Sequence, residues 1–254
     1  MTVLIGVLCN DGVVIGSDSS ATFSAGPVRT VEQPATKTFV IAGDVLVAGT
    51  GQVGLCQRFC HITEQVRRSG DFLANHRNNI AKAICSSVIQ DFSETQAPKG
   101  EFGAMVAFPS DAGVELCEFA ANDLQPEFKT SDCWFVSMGS GQLIADPFLG
   151  LLRRVFFDGA QPQVSEGIFA TLWALQHAFE LNTGGIQGPP QIGVLRRNSA
   201  MQWQARLLDD DELQEHANNI DQAERHLGDY RRIMSGATNN ELQPPTSQPP
   251  EPPS

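Results

Sequence analysis

The sequence predicts a mixed α+β fold, a four-layer α-β-β-α sandwich built from two antiparallel sheets. Short β-prone runs are joined by turn residues at regular intervals, and pairs of helical stripes fall between these hairpins. Several strands are apolar on both faces, which requires cover on both sides of each sheet. With 254 residues, 41% hydrophobic and 18% charged, the chain can bury the core that such an arrangement needs.

The elements follow in order. Thr2-Val3-Leu4-Ile5-Gly6-Val7-Leu8 reads as a buried strand, and Asn10-Asp11-Gly12 turns it into Val13-Val14-Ile15-Gly16. Ala42-Gly43-Asp44 separates Phe39-Val40-Ile41 from Val45-Leu46-Val47-Ala48. Leu55, Phe59, Ile62 and Val66 then mark one helix, and Ile80, Ile84 and Val88 a second. Pro109 to Gly113 turns Ala104–Phe108 into Val114–Cys117. Two more helices are expected from Leu143 to Phe157 and from Val164 to Leu181, the latter with Ser165 able to cap it. Arg197-Asn198-Ser199 forms the last hairpin turn, between Ile192–Leu195 and Met201–Trp203.

Beyond residue 206 the character changes. Asp209-Asp210-Asp211-Glu212 begins an amphipathic helix to about Met234, its acids placed well against the helix dipole. Its stripe of Leu213, Ala217, Ile220, Ala223, Leu227, Tyr230 and Met234 suits packing on its own domain or docking on a neighbouring subunit. From Asn239 the chain is Pro/Ser/Gln-rich and is expected to be disordered. The expected division is a domain at 2–206, a helical extension at 207–235 and a tail at 236–254.

Composition narrows the function. A net charge of −12 argues against nucleic acid and anionic membrane surfaces. No apolar run approaches the ~18 residues of a membrane span, and no basic leader precedes the first strand. The six cysteines read as reduced, buried, small hydrophobes, so a cytoplasmic location is expected. Cys56, Cys60 and His61 lack the further ligands of a zinc site, and neither metal nor cofactor is expected.

Gly49-Thr50-Gly51-Gln52-Val53-Gly54 matches GxGxxG, but a dinucleotide site needs a second parallel strand, and here one helix runs into another. Glycines at such a turn also let backbone N–H groups approach a reacting carbonyl. Met138-Gly139-Ser140-Gly141 lacks the serine-hydrolase elbow, and all five histidines fall in or beside helical stretches. Histidine-based catalysis is therefore not expected.

Thr2 offers different chemistry. Methionine is normally trimmed before a small residue, so the mature chain is expected to begin at Thr2. An N-terminal threonine then supplies a nucleophilic hydroxyl and, through its α-amine (pKa ~7.7–8.0), an adjacent base. Asp18 closes the second strand and Lys37, one of four lysines, opens the third. Antiparallel pairing could bring Thr2, Asp18, Lys37 and the Gly51 turn to one sheet edge, where a buried ammonium would lower the pKa of the threonine groups.

With these residues in place, Thr2 through Gly54 resembles the start of proteasome β-type subunits, threonine peptidases of the N-terminal-nucleophile hydrolase superfamily. The matching pieces are the strand after Thr2, Asp11-Gly12-Val13-Val14, Asp18-Ser19-Ser20-Ala21-Thr22, Lys37 and Ala48-Gly49-Thr50-Gly51. Met138-Gly139-Ser140-Gly141 resembles the family's GSG turn, and Thr183-Gly184-Gly185 its [ST]-G-G loop. The resemblance implies Thr2 as nucleophile and base, Lys37 tuning it, and Asp18 orienting Lys37. Gly51 would stabilise the oxyanion, Ser140 would support the amine, and Thr22, Gly49 and Gly51 would line the substrate site. The family usually has aspartate three residues before the loop threonine, where this chain has Glu180. The spacing from Asp18 to Lys37 is longer than typical, so Phe23 to Pro34 is expected to be a projecting loop. Lack of a propeptide and of an α-type N-terminal helix points to the bacterial branch with the HslV peptidase, and the acidic C-terminal extension to the betaproteobacterial homologues. Expected partners are peptide or unfolded protein and further copies in a homo-oligomeric double ring, with an ATPase unfoldase as a candidate. A small-amide amidohydrolase and a non-catalytic ring scaffold are the alternatives.

Overall fold

A computed structural model describes residues 1–25, 28–98, 100–181 and 185–235. Thr183 and the tail expected at 236–254 lie outside these residues. The chain divides into two compact units, Met1–Ala217 and Asn218–Ser254.

In the first unit, β1 (Leu4–Cys9) and β2 (Gly12–Ser17) form a hairpin across Asn10-Asp11, and both are buried along their whole length. Next come β3 (Ser20–Ala25) and β4 (Val28–Pro34), which pair only with each other. The projecting loop expected from Phe23 to Pro34 is thus a two-stranded hairpin. Its β-branched Thr22, Thr30 and Val31 favour extended backbone, a local signal that the unusual spacing obscured. β5 (Thr38–Ile41) and β6 (Val45–Gly51) form the next hairpin. Helix α1 (Val53–Ser69), a single 3₁₀ turn (Phe72–Ala74) and α2 (Arg77–Glu94) follow. The chain returns through β7 (Phe102–Ser110), β8 (Gly113–Phe119), the short β9 (Pro126–Phe128) and β10 (Phe135–Met138). α3 (Gln142–Val155) and α4 (Val164–Leu181) precede the last hairpin, β11 (Gln191–Arg197) and β12 (Trp203–Leu207). α5 (Asp210–Met234) ends the described chain.

Two five-stranded sheets result, ordered β10-β1-β2-β11-β12 and β5-β6-β7-β8-β9, with every pair antiparallel. Strands β5 and β6 contact β2, β11 and β12 of the other sheet, while α4 lies on β1 and β2 and α1 on β5, β6 and β7. Strands β1, β2 and β7 are buried along their whole length instead of alternating, as strands covered on both faces are. Between the second sheet and its helices, Phe59 meets Phe102 and Phe119 at ring-centroid distances of 5.3 and 5.5 Å. Burying each such ring contributes about 1.5–3 kcal/mol.

Local chemistry fixes the ends of the elements. Ser165 lies inside the first turn of α4 and does not begin it. The Val164 N–H donates instead to Asp11 in the β1–β2 turn at 2.7 Å, and the Gln163 N–H to Glu166 at 2.8 Å. Two acids therefore meet the positive end of the helix dipole, one supplied from a turn more than 150 residues away. At the start of α5, Glu212 accepts two bonds from Arg206 at 2.6 Å, which hold its carboxyl down to about 2. In the second unit, α5 leaves Leu227, Tyr230, Ile233 and Met234 exposed. No helix among the described residues is long and apolar enough to cross a membrane.

Candidate active site

The antiparallel β1–β2 hairpin sets Leu4 opposite Ser17, so the residues before β1 and after β2 share one edge. Thr2 and Asp18 meet there. Asp18 is fully buried. Its Oδ1 accepts the Val3 N–H at 3.0 Å and its Oδ2 the Ser20 N–H at 3.2 Å. Lys37 enters from the start of β5, on the facing sheet, and is 8% exposed. Its Nζ donates to Asp18 Oδ2 at 2.7 Å, to Thr2 Oγ1 at 3.0 Å and to the Met1 carbonyl at 3.2 Å.

Burial holds the Lys37 pKa below its ordinary value, opposed by the Asp18 charge and hydrogen bond. Without Asp18 the ammonium would be a buried, unpaired ion, which proteins seldom tolerate. With Asp18 it remains a cation aimed at the threonine hydroxyl.

The other side of Thr2 is held by the turn between β10 and α3. The Thr2 N–H donates to Ser140 Oγ at 3.1 Å, and the Gly141 N–H donates to the Thr2 carbonyl at 3.1 Å. Gly139 has φ +88°, and a Cβ there would lie 2.4 Å from the Thr2 carbonyl oxygen. Only glycine suits both the backbone conformation and that close approach. At the opposite wall Gly51 has φ +104°, and a Cβ on it would come within 2.0 Å of the Glu101 carbonyl oxygen.

Further residues, not apparent from sequence, complete the support. Gln191 Oε1 accepts the N–H groups of Lys37 and Thr38 at 2.8 and 3.3 Å, and its Nε2 donates to the Ala35 carbonyl at 3.2 Å. The hydroxyls of Ser17 and Thr38 share a hydrogen bond of 2.9 Å between the two sheets. Gln191 lies more than 150 residues from Lys37, and no local pattern marks it.

The sequence model of the proteasome subunit family matches residues 2–154, more than half of the chain. The chain belongs to the proteasome subunit family. Membership implies a hydrolase with a threonine nucleophile, in a family that generally forms oligomeric rings and takes protein substrates. No curated protein matches the chain.

For a proteasome-type chain, Thr2, Asp18, Lys37 and Ser140 form one hydrogen-bonded network, while Thr22, Gly49 and Gly51 line the cavity that opens onto Thr2 and Lys37. That cavity has a volume of about 400 Å³. Its floor is Gly49 against Cys56: a Cβ on Gly49 would stand 2.5 Å from the Cys56 sulfur. A hydrogen bond from Cys60 holds the Cys56 thiol below its ordinary pKa despite burial. Glu180 is exposed on the last turn of α4 and has no hydrogen bond to the network. Thr183 lies outside the described residues. Gly49 to Gly54 lead from β6 into α1, and both neighbours of β6 are antiparallel, so this turn has no parallel βαβ context. Among the described residues no group of three or more His, Cys, Asp or Glu could hold a metal ion.

A larger cleft of about 1120 Å³ lies at the far end of the strands, beside Asn10 and Asp11. Arg77 pairs there with Glu115 at 3.1 Å, while Lys129 and Arg206 are held by acids outside the cleft, at 2.9 Å from Glu118 and 2.6 Å from Glu212. It holds no nucleophile with an adjacent base, so size does not identify the site here.

Proposed function

We propose that this chain is a threonine endopeptidase of proteasome β type, folded as a four-layer α-β-β-α sandwich. The observation that carries this reading is the single Lys37 ammonium bonded at once to Thr2 Oγ1 and Asp18 Oδ2. Such a cation stabilises negative charge on the hydroxyl oxygen and favours a neutral amine beside it.

Removal of Met1 frees the Thr2 amine, which Ser140 Oγ orients. The amine takes the Oγ1 proton as Oγ1 bonds to the scissile carbonyl carbon, and the carbonyl oxygen becomes an oxyanion facing the Gly51 N–H. Collapse breaks the C–N bond, the departing amine takes the proton, and an ester joins the acyl half to Thr2. Water, deprotonated by the same amine, then hydrolyses the ester and regenerates the hydroxyl.

Two features favour a peptide over a small amide. Separate cavities of about 400 and 420 Å³ lie on either side of Gly51, which gives room for chain on both sides of a scissile bond. Gly49, lacking a side chain, leaves the first cavity deep enough for a large apolar residue before the cut. By its resemblance we assign the chain to the HslV-like bacterial branch, most like the betaproteobacterial homologues, with peptidase domain 2–206, helical extension 207–235 and tail 236–254. It would act in the cytoplasm as a homo-oligomeric double ring, with an ATPase unfoldase as a candidate partner. Hydrolysis of fluorogenic peptides by the wild type, abolished in Thr2→Ala rings, is the expected result; equal turnover by the two would refute the proposal.

A further inference from the structure

Glu101 directly precedes β7, and the β6–β7 ladder sets Gly51 opposite Phe102. Backbone packing holds Glu101 in place, because the Gln52 N–H donates to its carbonyl at 3.0 Å and Gly51 lies against the same oxygen. Its exposed carboxylate accepts a bond from Gln52 Nε2 at 3.3 Å and takes part in none of the ion pairs among the described residues. Glu101 and Glu118 line a cavity of about 420 Å³, together with Gly51, Met138, Gly139 and Gln142. No lysine or arginine among the described residues lines it. Glu118 is paired with Lys129 at 2.9 Å, a lysine it shares with Glu127, whereas Glu101 has no ion-pair partner among the described residues.

Proton traffic decides which half of a substrate lies here. The leaving amine must take its proton from the Thr2 nitrogen, and that nitrogen faces Ser140 Oγ at 3.1 Å. Ser140 stands between Gly139 and Gln142, both walls of this cavity. Lys37 and Gly49 line the other cavity, and Gly51 borders both. With the oxyanion at Gly51, the acyl half lies on the Lys37 side and the leaving half on the Glu101 side.

We infer that the cavity beside Glu101 receives the leaving half of the peptide, and that Glu101 selects lysine or arginine over glutamate or aspartate immediately after the cut. The inference rests on the peptidase reading. Glu101 attracts a cationic side chain and repels an anionic one in a cleft walled by protein, so both effects widen the same ratio.

The test uses internally quenched peptides that differ only in the residue after the scissile bond: Arg, Gln or Glu. Wild-type kcat/KM should favour Arg over Glu by about tenfold at about 50 mM salt, and less at about 500 mM, where screening is stronger. Glu101→Gln should bring the ratio to about twofold, and Glu101→Lys should invert it. A ratio is independent of the fraction of active rings, so partial misfolding of a variant does not obscure it. A wild-type ratio near one, or a ratio that Glu101→Gln leaves intact, overturns the inference while the peptidase reading stands. Failure to cleave any peptide overturns the peptidase reading, and this subsite falls with it.

Discussion

The Lys37 ammonium lies 3.0 Å from the Thr2 hydroxyl oxygen, although the two residues lead into strands of different sheets and are 35 positions apart. Neither could be placed against the other by local structure. The facing of the two sheets brings them together, and Asp18, 2.7 Å from the same nitrogen, keeps the ammonium charged.

Lys37→Ala should therefore lower acylation by roughly 10²-fold or more, since proton transfer and pKa tuning typically contribute ~10²–10⁴. It should also destabilise the fold by about 3–5 kcal/mol, because Asp18 is left buried without its cation. Lys37→Arg should be inactive too, its guanidinium being too large and too basic for the site. Burst kinetics and urea titrations of assembled protein measure the two effects separately. Near-normal turnover in Lys37→Ala would exclude this mechanism.

The pH dependence follows from the Lys37 shift. Burial lowers its pKa from 10.5 and Asp18 partly restores it, so the alkaline limb of kcat/KM should fall below pH 10.5. Asp18→Asn removes the restoring charge, and that limb should move to still lower pH. Stability has a definite sign as well. Between the folded pKa and 10.5 the unfolded chain binds more protons, so raising the pH in that window should stabilise the wild type relative to Lys37→Met. A fall in relative stability there would contradict the shift.

Ser140→Ala removes the acceptor of the Thr2 N–H and should cut turnover by about 10–10²-fold while shifting stability by less than ~1 kcal/mol. Gly139→Ala should be worse on both counts. It strains a backbone at φ +88° and drives a methyl into the Thr2 carbonyl, at a cost of about 1–3 kcal/mol. Thermal melts with single-turnover rates would distinguish them. A fully active Gly139→Ala would mean that Thr2 is not anchored by this turn.

In the proposed peptidase, the floor of the acyl-side cavity should set substrate preference. Peptides with a large apolar residue before the cut should be cleaved best, and Cys56→Leu, by filling that floor, should shift preference toward smaller residues. Preferred cleavage of the wild type after acidic or small residues, read from a fluorogenic panel, would refute this.

Much of this architecture was legible in sequence because its signals are local. Asn10-Asp11-Gly12 and Pro109 to Gly113 are turns by their own chemistry, and the stripe of Ile168, Leu172 and Leu175 marks a helix by spacing alone. Thr2, Asp18 and Lys37 were legible because each sits at the end of an apolar strand, where antiparallel pairing gathers chain ends. What escaped depends on distant contacts. Gln191 supports Lys37 across more than 150 residues, and Asp11 caps α4 in place of the nearer Ser165 over a similar span. The β3–β4 hairpin is a different case: Thr22, Thr30 and Val31 favour strands locally, but the length of the segment departs from the family pattern, where a loop is expected.

The most direct test of the Thr2 nucleophile is mass spectrometry of the purified protein before and after exposure to a peptide epoxyketone, a reagent that needs both a hydroxyl and a free amine on one N-terminal threonine. The untreated chain should lack Met1, and the adduct should map to the peptide that begins at Thr2 and be absent from Thr2→Ala. A chain that keeps Met1, or an adduct that maps elsewhere or persists in Thr2→Ala, would contradict it.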